Sequence, residues 1–499
     1  MLSFILSTVG PMILLAVSLA LALAAGDETP ASALLAEGRR LLEAGRLAEA
    51  RSRLEQAAEL DPGSATPHLL LGRLHDARGN LAAAAASYER ALERAPDLAE
   101  AHDGLGFVLG RLGQTADAIY RFRRAVELRP DLFDAQYHLG ATLWWTRDYA
   151  GARVALTEAV RLRPDQAEAL YYLGVTLKQL HELEPAIEQL RRAAAANPRL
   201  APAHMQLGLA LQEGGDLDGA IASLRRAVEL DPGLVDARNS LGLALSLKGA
   251  SEEAIATLRE LVASHPDYLP AQQNLGTALM QAGKLEAAIA VYRELTTRNP
   301  TSAEAFYNLG LALKQRDDFE GAETQLRRAM ELDPSLPDPP YTLGVVLWQT
   351  GRRDDAAVAF REAIARQAEH ADAHYMLGTV LLQKGDVEGA LAAFRRTVTL
   401  NPDSAEAHLS LGQILQRRGE TEAARSALAE AQRLRAKKAA LQAATFAVDL
   451  GRRRLAQNDL AGAIESFREA VRLAPDYAPA RLELARALER SGTRAEPQR

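Results

Sequence analysis

Cysteine is absent from all 499 residues, which removes disulfides, thiolate zinc sites, cysteine nucleophiles and a lipid-bearing N-terminal cysteine. Tryptophan occurs three times, aromatics make up 5% of the chain, and runs of Val, Ile and Thr that would build strands are missing. There is no cationic excess either: the net charge is −7, so the basic footprint of a nucleic-acid binder is lacking. Neither a Walker loop, an HExxH pair nor a nucleophile elbow occurs. What the chain has in quantity is alanine and leucine, with 48% hydrophobic and 25% charged residues. That composition predicts an all-α protein without cofactor or metal, and not an enzyme.

Residues 1–25 carry no charge, and 12-MILLAVSLALALAA-25 is an apolar run ending in small residues. Ala22-Leu23-Ala24 suits signal-peptidase cleavage, with Asp27 and Glu28 following. Residues 1–24 are therefore expected to be a signal peptide or, since the run is long enough to span a bilayer, an uncleaved N-terminal membrane anchor. Either places the rest outside the cytoplasm, periplasmic or anchored to the inner membrane and facing out. Residues 25–30 read as a linker.

From Ala31 the chain repeats every 34 residues, twelve times without an insertion, through residue 438. Position 8 of every repeat is glycine (Gly72, Gly106, Gly140, Gly174 and Gly208 among them) and position 20 is alanine (Ala84, Ala118, Ala152). Leucine holds positions 7 and 11, and proline closes most repeats at position 32. Position 15 is usually glycine, where a left-handed residue would end a first helix, and Asp-Pro would end a second. Ser or Asp before an acidic position 2 would start the next. On a 100° wheel positions 4, 7, 8 and 11 share one face of the first helix. The small residues at positions 8 and 20 would let the two helices close on each other. One pair cannot cover its own apolar face, so neighbours must stack. Residues 444–477 form a thirteenth repeat and 478–491 a capping helix, with 492–499 a disordered tail.

This pattern resembles the tetratricopeptide repeat, over about residues 31–490. The resemblance implies an α-solenoid of about 13 helix pairs in a right-handed superhelix, whose inner groove, lined by the first helices, binds peptides or partner proteins. The repeats are also similar to those preceding the catalytic half of protein O-GlcNAc transferases, without that half. Departures are the family's Trp at position 4, replaced here by His in five repeats, and Leu in place of Tyr at position 11.

On the same wheel positions 2, 5, 6, 9, 12 and 13 lie opposite the core face, which the resemblance assigns to the groove. Trp144 and Trp348 fall at position 12 and Trp145 at position 13. Tyr137, Tyr171, Tyr307, Tyr341 and Tyr375 fall at position 5; Tyr172, Asn274 and Asn308 at position 6; Lys178 and Lys314 at position 12; and Gln179, Gln315 and Gln349 at position 13. Rings, amides and amines suit an extended ligand with apolar and polar edges. That describes a partner protein or peptide, with a glycan as the rival, and packing between repeats as the structural explanation of the same rings. The chaperone-type carboxylate clamp is missing: position 9 never carries Asn and position 5 never carries Lys. The reading is an exported, non-catalytic scaffold binding a protein or extended peptide. Its alternatives are a carbohydrate-handling scaffold in envelope polysaccharide export, or a transferase-type substrate-binding array lacking its catalytic half.

Other features read as structure. His370 and His374 are four apart, as two metal ligands on one helix would be, but His at position 4 recurs through the repeats. In 104-GLGFVLGRLG-113 leucine stands where a dinucleotide fingerprint needs its third glycine. The Arg pairs 123–124, 225–226 and 327–328 each have a Glu four residues after the first Arg, giving solvated helix pairs. Two irregularities remain. Pro339-Pro340 should delay the first helix of repeat ten by about a turn. Residues 439–443 are an insertion, and the lack of Gly and Pro from Glu420 to Leu450 predicts one fused helix of about 30 residues, roughly 45 Å long.

Overall fold

The computed structural model describes residues 29–492. Among them are 26 α-helices and no strand. The expected leader and tail lie outside the described residues, and no helix among those described is long and apolar enough to cross a membrane. The helices divide into two compact bodies, through Ala282 and from Gly283, so the division falls inside repeat eight. Helix formation begins at Pro30, capped by Thr29, so the first helix starts one residue earlier than expected.

Each repeat is an antiparallel pair, as in Ala167–Gln179 and Leu183–Ala196 of repeat five. The two helices close because position 8 has no side chain. A Cβ on Gly174 would lie 2.6 Å from Leu190 Cγ and 3.3 Å from the Ala186 carbonyl oxygen. The same contact joins Gly106 to Phe122, Gly140 to Leu156 and Gly208 to Leu224, and Gly72 to Tyr88. Position 20 (Ala84, Ala118, Ala152) is fully buried at the crossing. The turn between the helices needs a left-handed residue at position 15. Glycine supplies it in nine of the first twelve repeats, with φ between 70° and 83°, and Arg147 (65°), His181 (60°) and Asp317 (64°) adopt it elsewhere.

Side-chain capping differs from the expectation. Ser302, Ser404 and His370 cap first helices, but leucine precedes many of the others and caps nothing. The second helix is the better capped: Asp148, Asp216, Asp318, Asp386 and Asp459 each accept from the N–H of a glycine three residues on. Repeats are tied together through position 4. The rings of His102, His204, His374 and His408 donate to the carbonyls of Pro96, Pro198, Ala368 and Pro402 at 2.9–3.2 Å. The Gln136 and Gln272 amides do the same to Pro130 and Pro266 at 3.0 and 2.7 Å. A polar residue where the family has Trp thus anchors the turn from the preceding repeat.

Three details correct the sequence reading. Pro339 and Pro340 do not delay their helix, which starts at Asp338, one residue later than its counterpart in repeat nine. The first turn has free N–H groups in any case, so two prolines there remove no hydrogen bond. In the Arg pairs it is the second Arg that bonds Glu, three residues on, as in Arg124–Glu127 (3.2 Å) and Arg328–Glu331 (3.0 Å). The fused helix exists but is longer than expected. Thr421–Ala456 runs 36 residues, joining the second helix of repeat twelve to the first of repeat thirteen. Residues 435–439 and 441–443 are exposed, so that bridge stands on helix propensity and not on packing.

Two outcomes follow from these contacts. Gly174→Val should cost about 2–3 kcal/mol in chemical denaturation, because neither Leu190 nor the Ala186 carbonyl can retreat; Gly63→Ala, with only the Asp61 side chain 3.6 Å away, should be nearly neutral. Ala439→Pro should speed hydrogen exchange through residues 435–450 while the helices of repeats nine to eleven keep their protection.

Candidate functional site

The first-helix face opposite the core is built by an offset of 35 residues. Position 5 of one repeat meets position 6 of the next, and position 12 meets position 13. In the first body Asp103 bonds His138 (2.8 Å) and Asn239 accepts from Asn274 (2.9 Å) at the first level. At the second, Arg111 donates to Asp76 (2.5 Å) and Ser246 to Gln281 (2.5 Å). In the second body Tyr307 bonds Thr342, and Trp348 Nε1 donates to Gln383 (3.1 Å). These rungs are side chains of neighbouring first helices reaching across the repeat boundary.

Two of the expected groove residues close a rung of their own and are corrected here. Tyr137 and Tyr172 meet edge to face with centroids 6.0 Å apart, and only 5% and 9% of their surfaces are exposed. They belong to the core between repeats four and five, which also takes in Leu139, Leu143 and Leu173. Trp144 and Tyr171 are partly buried against the same core, and Trp144 meets Tyr172 at 5.6 Å. A helical wheel treats each helix alone; a ring at position 5 facing a ring at position 6 one repeat on fills the gap between them.

The other residues keep accessible surface. Trp145 is 38% exposed, Gln179 is exposed and Lys178 half-buried. Asn274 is half-buried. In the second body Tyr307, Asn308, Lys314, Tyr341, Trp348 and Tyr375 are half-buried, and Gln315 and Gln349 exposed. Tyr341 leans on His370 (4.7 Å) and Tyr375 on Phe394 (5.7 Å), so their rings are braced on one side and open on the other. His370 caps the backbone N–H of Ala373, and His374 holds Ala368, so both rings are committed to the backbone.

Electrostatics concentrate in repeats two to four. Burial pushes the Asp76 carboxyl up, against the Arg111 guanidinium bonded to it. Burial alone would lower the His138 imidazole, but the adjacent Asp103 carboxylate outweighs it and the ring is raised. Asp76, Asp103 and Arg111 escaped the sequence reading because their meaning lies in the 35-residue offset, which appears only once neighbouring repeats are superposed by 34 residues and shifted by one. Burial lowers the Lys178 ammonium, with Glu213 opposing through space. Burial raises the Tyr307 and Tyr341 phenols, the Thr342 hydrogen bond drawing Tyr307 part of the way back.

Comparison with known proteins agrees with this architecture. A family model described as the cilia and flagella-associated protein 70 C-terminal domain, of tetratricopeptide type, matches residues 227–448. Three models described as tetratricopeptide repeats match residues 41–106 and 454–496, 201–234, and 142–201. No curated protein matches the chain. Among solved structures it is similar to YrrB, a tetratricopeptide-repeat protein (25% identity, 38% of this chain and 97% of that one, TM-score 0.36). It is also similar to pilF of Pseudomonas aeruginosa (21%, 42% and 95%, 0.39) and yeast Tom70 (16%, 79% and 96%, 0.39). Four repeat-family models laid along stacked helix pairs with glycine at the eighth position of each 34-residue repeat make the chain a tetratricopeptide-repeat protein.

Proposed function

We propose that this chain is a non-catalytic scaffold whose first-helix face holds an extended segment of a partner protein. Repeat proteins of this family serve protein–protein interaction, and the finer reading rests on one observation. On that face large rings keep accessible surface next to amides: Trp145 with Gln179 in the first body, and Tyr307, Tyr341, Trp348 and Tyr375 with Gln315 and Gln349 in the second, where Tyr341 and Tyr375 are braced by His370 and Phe394. Braced aromatics lose little entropy on binding, and amides can bond a peptide backbone.

Burial separates Trp145 from the other two tryptophans. Trp144 packs against the core, so removing it costs stability, Trp145 is exposed, and Trp348 is half-buried and held by Gln383. Displayed short peptides selected on the full chain should lose about tenfold or more in affinity on Trp348→Ala or Trp145→Ala, with the melting temperature nearly unchanged for the exposed Trp145. Val358→Ala, at an exposed position on a second helix, should leave binding alone. Equal losses at Val358 and Trp348, or none at either tryptophan, would refute the assignment.

Export is a second part of the proposal, supported by the uncharged apolar run through Ala25 and the small residues Ala22-Leu23-Ala24. Expressed from its full gene in a bacterial host, the chain should appear outside the cytoplasm with a mature N-terminus near Ala25 by intact mass. A cytoplasmic chain retaining Met1 would contradict it.

A further inference from the structure

We propose that the first helices of repeats nine to eleven hold a proline-rich, basic segment as a polyproline II helix, one proline against each of Tyr307, Tyr341 and Tyr375; this rests on the first-helix face holding an extended peptide. The three tyrosines occupy position 5 of successive repeats, all within the second body. Each is half-buried and keeps accessible surface. Facing them from position 6 of the next repeat are Thr342, Met376 and Ser410, none of them a ring. In repeats four and five a second ring closes the same gap, Tyr172 against Tyr137. Repeats nine to eleven thus present a row of three open rings in one register.

The interval between the rings selects the backbone of the guest. Neighbouring packed helices lie about 8–10 Å apart, so the rings recur at about that distance. A β-strand advances about 3.3 Å per residue and turns alternate side chains to opposite faces, so like-facing residues lie about 6.6 or 13 Å apart. Neither fits. Polyproline II has about three residues per turn and rises about 3.1 Å per residue, which returns every third side chain to one face after about 9.3 Å. Proline at those residues fixes the backbone before binding and lays an apolar ring on each tyrosine. The carbonyls of such a segment are free acceptors, and the row of glutamines at position 13 offers donors. Gln315 and Gln349 are exposed, and the Gln383 oxygen already accepts from Trp348 and Arg353, which leaves its amide nitrogen to give.

The charge of the guest is read at position 2. Glu304, Asp338 and Asp372 stand there, one turn before the tyrosines, exposed and without an ion pair among the described residues. A helix N-terminus favours an acid, yet acids at position 18 of this body are paired across the repeat boundary, Glu286 with Arg316, Asp354 with Lys384 and Glu388 with Arg418. Burial raises the Tyr307 and Tyr341 phenols, and Asp338 and Asp372 of the following repeats add to the rise through space, so each acid lies near the preceding tyrosine. At positions 5, 6, 9, 12 and 13 of these repeats the one charge is Lys314, far along the helix from the acids. Carboxylates along the ring row complement lysine or arginine beside each proline.

Synthetic peptides of one composition, with prolines at every second, third or fourth residue and lysines between them, titrated onto the full chain, test this. The period-three peptide should bind about tenfold tighter than the other two, and replacing its lysines by glutamate should cost about tenfold, less as salt rises. Tyr341→Leu should erase the preference for period three. Asp338→Asn combined with Asp372→Asn should erase the preference for lysine, and because both residues are exposed the variant keeps its fold even if the tyrosine variant does not. Equal binding of the three spacings, or a lysine preference that survives the double Asn variant, overturns the track. If proline-free peptides selected on the chain still depend on Trp348, the groove reading stands without it. If no peptide of either kind is retained, both fall.

Discussion

Everything in this molecule depends on how closely two helices of a pair can approach. Glycine at position 8 lets the residue at position 24 of the partner helix sit where a side chain would otherwise be, as Leu190 does over Gly174 and Phe122 over Gly106. With that distance short, the leucines at positions 7 and 11 are buried against the next repeat, and each costs or stabilises by roughly 1.5–3 kcal/mol according to whether it is covered. The array therefore tolerates Arg147, His181 or Asp317 in place of the turn glycine, a left-handed residue being strained but possible there. It tolerates no such substitution at position 8, where the obstacle is another side chain and, behind it, a backbone carbonyl.

Close pairing also brings first helices side by side, and that proximity decides what their outer face can do. A residue at position 5 has a neighbour at position 6 one repeat on. Two rings there, Tyr137 and Tyr172, become core; an acid and an imidazole, Asp103 and His138, become a buried pair; two amides, Asn239 and Asn274, become a hydrogen bond. Only where the partner position is short, apolar or turned outward does a side chain remain available. Availability on this face is thus a property of pairs of repeats and not of single residues, which is why it changes along the array although the repeat does not.

This also sets how much could be read without coordinates. The 34-residue period, Gly and Ala at positions 8 and 20, and the absence of Gly and Pro across residues 420–450 carry the helix pairs and the fused helix, because each is a local constraint repeated many times. The core and outer faces of the first helix were legible for the same reason. What escaped was the meeting of neighbours: a wheel drawn for Tyr137 places it outside, and only the ring of Tyr172 from the next repeat encloses it. The Asp caps of the second helices, followed by glycine at 151, 219, 321, 389 and 462, were visible in the sequence as a spaced pair and pass unnoticed unless the N-cap is sought there. The prolines at 339 and 340 look disruptive by residue type and are harmless by position.

The central claim is that Trp145 and Trp348 wait for a guest while Trp144 supports the wall behind. Acrylamide quenching of three single-tryptophan variants, each retaining one ring and carrying Phe at the other two positions, measures it directly. Trp145 should be quenched most readily in the free chain, and a bound selected peptide should shield both Trp145 and Trp348 further while leaving Trp144 unchanged. Shielding of all three in the free chain, or exposure of Trp145 and Trp348 that no bound peptide alters, would contradict it.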